Sequence, residues 1–288
     1  MVDVDTALRA SAYNDRKRKS SGGKEEKKTT SKKIEPFDPV AHAIKELADA
    51  YSMWVVLIYG ALVAIGERYL LMPSMEEPGA ILYLLPLLLS ATIIPLHRIV
   101  LPKKYNELYT NGNWFRAIFL FVFTWLALSF IVSNPPLADI APPTLAGGID
   151  IEQIEGIENT NWDNGVYTID LNQDTVDVVL GMAVRDNVEA NTVQINAAIY
   201  YRGEMIQELA NGTAISHTED IEMFSSVTNW SRGAKIGQHE RDVGMAWDLG
   251  TLEPGEYTLE ITMTEQGNPW VNTSELEYTI LIAQTTVL

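Results

Sequence analysis

The 288-residue chain contains no cysteine and only four histidines. Without cysteine there is no disulfide scaffold, no thiolate zinc site, no iron–sulfur cluster and no Cys nucleophile. Positive charge is also scarce, with 21 Lys and Arg against 38 Asp and Glu, a formal net of −17. A nucleic-acid binder needs a basic face to neutralise phosphates, so that class is excluded. No P-loop, dinucleotide-type G-x-G-x-x-G or G-x-S-x-G nucleophile elbow occurs anywhere.

What is present is unevenly distributed. Residues 133–288 hold 5 Lys and Arg (Arg185, Arg202, Arg232, Lys235 and Arg241) and 25 Asp and Glu, a net of −20. Residues 1–132 hold 16 and 13, a net of +3. Two halves so different are built for different surroundings. Residues 1–37 form a basic tail that reads as disordered, because Arg16–Lys33 offers no large apolar side chain to offset the entropy of ordering. No short apolar run with a small-residue cleavage site follows it, so no cleavable signal is read.

The apolar residues concentrate in residues 38–132, read as a membrane domain with three helices at about 51–72, 79–99 and 114–132. Asp38-Pro39 supplies the start of the first helix, as N-cap and first helical residue. Glu67 and Arg68 interrupt that helix and are read as an interfacial pair reaching out to headgroups. Gly60 and Ala64, four apart, offer a face for close helix approach. Pro86 kinks the second span, and Trp54, Tyr105, Tyr109 and Trp114 fall at expected membrane interfaces. Eleven Lys and Arg precede the first span, and Arg98, Lys103 and Lys104 lie in the 97–113 loop, whereas the 73–78 loop has only Glu76 and Glu77. Positive loops stay on the cytoplasmic side, so three spans place the tail inside and residue 133 onward outside the cell.

Residues 133–150, with four Pro and a Gly pair, read as a semi-rigid linker holding the next domain off the bilayer. From 151 to 288 the pattern changes to period two. Val176–Leu180, Val193–Ile199, Leu259–Met263 and Leu276–Ile282 alternate apolar and other residues, with turn residues between them. Seven or eight strands with no long amphipathic helix make an all-β sandwich. Within it, Leu252-Glu253-Pro254-Gly255-Glu256-Tyr257 leads into the alternating run TLEITM. That segment resembles the tyrosine corner of immunoglobulin-like and fibronectin type III-like sandwiches. The resemblance implies that Pro254 and Gly255 turn the chain into the penultimate strand and that the Tyr257 hydroxyl bonds upstream backbone. The cysteine pair of antibody domains is absent.

Several constellations could carry chemistry. N-x-S/T sequons at Asn211, Asn229 and Asn272 are glycosylation candidates, though three is little more than chance places here. Asp170, Asn172, Asp174 and Asp177 place oxygen ligands as the start of a calcium loop does, but Thr175 and Gly181 break the EF-hand pattern, leaving a weak calcium candidate beside an acidic turn. His217 with Glu219, Asp220 and Glu222, and His239 with Glu240 and Asp242, lack the spacing of zinc hydrolases and read as loop histidines. Ser216, Ser225 or Ser226 could complete a triad only on paper.

The expectation is a non-enzymatic membrane-anchored cell-surface protein, without cofactor, presenting an acidic Ig-like sandwich to another protein or to envelope material. Its partners would be the lipid bilayer and a protein of the membrane or envelope. The composition suits an archaeal cell surface. The alternative is an accessory subunit of a larger membrane complex for transport, secretion or envelope assembly, since three spans exceed what an anchor needs.

Overall fold

A computed structural model describes residues 38–236 and 239–284 of the chain. The basic tail at 1–37 lies outside the described residues. The Asp38 carboxylate accepts the N–H groups of Val40 at 2.9 Å and Ala41 at 3.3 Å, and Pro39, which has no N–H to leave unpaired, opens the helix. Helix α1 (Pro39–Gly66) continues through a π-helical turn at Glu67–Leu71 and a 3-10 turn at Met72–Ser74. It therefore starts at the expected Asp38-Pro39 cap and runs unbroken into the apolar span that opens near residue 51. The second pass is α2 (Ile81–Leu89) and α3 (Ile93–Val100), joined by a 3-10 turn at Ser90–Thr92. Pro95 accounts for that tightening, because in a regular helix its ring meets the carbonyl four residues back, at Ala91. After the one-turn α4 (Lys103–Asn106), α5 (Asn111–Val132) begins with a reciprocal cap between Thr110 and Asn113. Three helical stretches, Pro39–Ser74, Ile81–Val100 and Asn111–Val132, are long and apolar enough to cross a membrane.

These helices bury small, regular stripes. In α1 the buried residues are Ala48, Ser52, Val56, Gly60 and Ala64, each four after the last, and α5 answers with Ala117, Phe121 and Trp125. A Cβ added at Gly60 would lie 3.1 Å from Thr124 Cγ2, so glycine is what allows this approach. The small-residue face is thus used inside the chain. At one end of the bundle Arg116 pairs with Asp49 at 2.6 Å, and the Tyr109 hydroxyl donates to the Ala48 carbonyl at 2.8 Å. At the other end Glu67 and Arg68 meet Trp125 and Val132. The passes alternate in direction, with Arg98, Lys103 and Lys104 at the end away from the β domain. Outward-facing Trp54, Leu62, Leu70, Leu88, Phe115 and Phe130 are each more than half exposed.

The described residues after α5 are all β apart from short helical turns and one short helix. Strands β1 (Thr144–Ile151), β4 (Val176–Arg185) and β7 (Val243–Leu252) form one sheet in the order β1-β4-β7. Strands β2 (Ile157–Asp163), β3 (Val166–Leu171), β5 (Gln194–Tyr201), β6 (Glu204–Thr213), β8 (Gly255–Gln266) and β9 (Val271–Gln284) form the other. Its order is β2-β3-β9-β8-β5-β6, antiparallel except for β3 beside β9. The period-two pattern does what it implies: Leu259, Ile261 and Met263 face inward and share one core with Leu180 and Met182 of the other sheet and with Ile195 on the neighbouring strand, while Glu260 and Thr262 do not. Arg202-Gly203, both at positive φ (53° and 81°), closes the β5–β6 hairpin with the twist that paired strands need. Helix α6 (Thr218–Ser226), which the sequence pattern does not reveal, joins β6 to β7. Strand β1 starts at Thr144, inside the stretch expected to be linker.

Candidate functional site

The joint between the helices and the sandwich is where the buried polar groups of the two halves converge. Arg68, 4 % exposed, donates from Nε to the Val132 carbonyl at 3.2 Å. Its terminal nitrogen donates to the Leu137 carbonyl at 3.0 Å and to Asn268 Oδ1 at 2.8 Å. Neighbouring Glu67, also buried, accepts from the Trp125 indole at 2.6 Å. The expectation of a pair reaching out to headgroups is therefore corrected: both charges turn inward, and they satisfy different partners. The helical turn widens at Glu67–Leu71, where these two side chains leave the backbone.

The 133–143 segment is likewise not a spacer holding the domain away. Asp139 and Asn268 exchange backbone hydrogen bonds at 3.0 and 2.8 Å, and Ala138 is buried. Trp270, from the β8–β9 turn, packs with Met72 and Leu82 of the first and second passes and with Ile140. The sandwich is seated on the helix ends.

Beside this seam lies a cluster that sequence reading missed. Asp139, Asp186 (just after β4) and Glu265 (in β8) bring one carboxylate oxygen each within 4.8 Å of the other two. Asp186 is fixed by the N–H groups of Val188 and Glu189, both at 2.7 Å to Oδ2. Glu265 is 7 % exposed, and its Oε1 accepts from the Asn272 amide at 2.8 Å. Burial first, and then the adjacent Asp186 carboxyl, push the Glu265 carboxyl up to about 8. Among the described residues none of the three forms an ion pair with Lys or Arg. No local signal could have revealed the group, since its members come from three separate elements.

The sequence-derived candidates are scattered by the fold. Asp170 accepts from Asn159, Asp174 from Gln284 and Asp177 from Thr251, with Asp170 and Asp177 on different sheets. Asp170, Asp174 and Asp177 do not converge as the Asp139 group does, and Asn172 is exposed at the turn. Asn211 and Asn229 are exposed, but Asn272 is 3 % exposed and its amide nitrogen lies within hydrogen-bonding distance of Asp139, Ala141 and Glu265. A glycan on Asn272 would have no room, which corrects that candidate. His217 Nδ1 bonds Asp220 at 2.9 Å at the start of α6. The hydroxyls of Ser216, Ser225 and Ser226 each donate to a carbonyl three or four residues back, so no Ser–His–Asp arrangement forms among them. At the corner, the Tyr257 hydroxyl donates to the Glu253 carbonyl at 3.0 Å, as the motif implies.

Two buried polar groups outside the seam also went unread. His97, fully buried, bonds the Ile93 carbonyl through Nδ1 at 2.8 Å and meets Ser52 through Nε2 at 2.9 Å. A carbonyl only accepts, so Nδ1 carries a proton, and a neutral ring accepts from Ser52. Asp150, also fully buried, accepts from the Tyr167 hydroxyl at 2.7 Å and the Arg232 backbone at 2.8 Å, and burial raises its carboxyl above the usual range. Both are fully engaged within the fold. No protein-family model matches the chain, and no curated protein is similar to it in sequence.

Proposed function

We propose that the chain is a membrane-anchored cell-surface protein whose acidic, Ig-like sandwich lies outside the cell and engages a basic partner in the envelope, without catalysis. The sidedness is supported by the alternating passes, which put Arg98, Lys103 and Lys104 at one end and the −20 segment at the other. The Ig-like assignment is supported by the run β9-β8-β5-β6 opposite β1-β4-β7, and by the Tyr257 corner entering β8. The β2–β3 hairpin at the edge beside β9 is an addition to that plan.

The observation that carries the binding reading is a row of carboxylates on the open face of the six-stranded sheet. Glu208 of β6 and Glu260 of β8 flank Ala198 of β5, and Glu260 sits directly opposite Glu277 of β9. All three glutamates are exposed. Like charges facing across a strand pair cost stability, and a cationic partner would relieve that repulsion.

A cysteine-free chain makes the sidedness test clean. Val188→Cys on the sandwich should react with a membrane-impermeant maleimide on intact cells, and Lys104→Cys only after lysis; the reverse pattern would sink the reading. The other reading, an accessory subunit of a larger complex, is favoured by an apolar groove of about 500 Å³ between α1 and α5, lined by Met53, Ala117, Phe119, Leu120 and Phe123. Stoichiometric membrane companions after purification in mild detergent would favour that reading, and a homogeneous particle of this chain alone would count against it.

A further inference from the structure

We propose that Asp139, Asp186 and Glu265 form a binding site for a divalent cation of the calcium type, which clamps the sandwich to the end of the third helix. Three carboxylates alone would not argue this. The independent observation is that Oδ1 of Asp139 and Oδ1 of Asp186 are sealed from solvent and have no hydrogen-bond partner, while the Glu265 side chain beside them is more than nine-tenths buried. Buried carboxylate oxygens without partners are costly, and a bound ion is one of the few things that accounts for them.

The alternative is a proton shared between Glu265 and Asp186. It satisfies one contact and leaves Asp139 Oδ1 unpaired beside a remaining negative charge. A cation answers all three oxygens together. The three oxygens are close enough to share one ion: they lie within 4.8 Å of one another, and ligands on opposite sides of a calcium ion are about 4.8 Å apart. The donors are all oxygen, as a hard cation prefers, and three carboxylates offer as many as six ligand atoms. Supporting contacts hold the ligands in place, with Val188 and Glu189 N–H on Asp186 Oδ2 and the Asn272 amide on Glu265 Oε1.

The consequence follows from where each ligand sits. Asp139 belongs to the segment leaving α5, Asp186 follows a strand of the three-stranded sheet, and Glu265 lies in the six-stranded sheet. One ion would therefore tie the membrane stalk to both layers of the sandwich. This holds whatever the open face of the sheet binds.

The test uses the full chain in detergent, stripped with EDTA and titrated with calcium chloride by calorimetry, with melting followed by tryptophan fluorescence. One calcium per chain is expected, with a dissociation constant of roughly 0.1–1 mM, typical of extracellular modules. Saturating calcium should raise the melting temperature by about 2–4 °C. Asp139→Asn, Asp186→Asn and Glu265→Gln should each abolish the shift, while Asp174→Asn and Asp177→Asn keep it. The two controls separate this site from diffuse binding to an acidic surface. Absence of binding by the wild-type chain at roughly 10 mM calcium overturns the proposal whether or not any variant folds. So does a calcium shift that survives in all three variants, and an equal shift with magnesium overturns the calcium assignment.

Discussion

Arg68 and Asn268 lie 200 residues apart in the chain and meet at 2.8 Å. The guanidinium lies in the closing turns of the first membrane-length helix, and the amide sits in the last turn of the sandwich. Among the described residues no carboxylate forms an ion pair with Arg68; carbonyls from Val132 and Leu137 complete its shell. A buried cation held by oriented dipoles fixes geometry, because a shift of any partner strands the charge.

Arg68→Ala is accordingly expected to cost about 2–4 kcal/mol, the loss of several charge-assisted hydrogen bonds at a buried position. The melting temperature in detergent should drop, and protease should cut within 133–143 faster than in wild type. A variant that melts like wild type and is cut no faster would show that Trp270 and the Asp139–Asn268 backbone bonds hold the seam without Arg68.

Gly60 and Gly66 make a matched pair in the first helical stretch. Leucine at 60 must displace Thr124, whose Cγ2 would be 3.1 Å from the new Cβ, and overpacking of this kind costs about 1–3 kcal/mol. At 66 an added Cβ meets nothing within 4 Å, so Gly66→Ala should be neutral or stabilising by about 0.5–1 kcal/mol. Thermal melts of the two variants should move apart; movement in the same direction would contradict the close approach of α1 and α5.

Removing one oxygen tests the corner. Tyr257→Phe keeps the ring stacked on Tyr201, at 4.8 Å between centroids, but loses the bond to the Glu253 carbonyl. About 1 kcal/mol of destabilisation is expected in chemical denaturation. A loss near zero would mean that the hydroxyl is equally well served by water.

The pH response of the Arg185–Asp242 pair has a definite sign. Two hydrogen bonds from Arg185, at 2.9 and 2.6 Å, hold the Asp242 carboxyl below its ordinary value. A depressed carboxylate contributes stability that is present above its unfolded value, near 4, and is lost as pH falls through the folded one. Because Arg185 is half exposed, screening keeps the contribution to about 1 kcal/mol. The stability difference between wild type and Asp242→Asn should shrink on acidification below pH about 4; a difference that grows there would reverse the assignment.

Relieving the glutamate row should show in stability before any partner is known. Glu260→Gln removes the repulsion with Glu277 and should stabilise the chain by about 0.2–1 kcal/mol at low salt, less at high salt. Salt-insensitive stabilisation would point to something other than charge.

Composition and periodicity alone determined the three apolar helices, the switch to period two, the charge split and the Pro254–Tyr257 corner. Each is a local property, set by side-chain polarity along a helix or strand and by the backbone preferences of Pro and Gly. Tertiary structure decided the rest. Glu67 and Arg68 look like interfacial charges because the sequence does not reveal that Trp125, Val132 and Asn268 wait beside them. Residues 133–143 look like a spacer because their hydrogen bonds go to the β8–β9 turn, more than a hundred residues onward. Asn272 carries a perfect sequon and lies buried. Asp139, Asp186 and Glu265 are unremarkable acids in an acidic segment until three elements fold together and seal two of their oxygens from water. Burial and partnership depend on the whole chain, and for a charged group they decide whether it is a solvated decoration or part of a site.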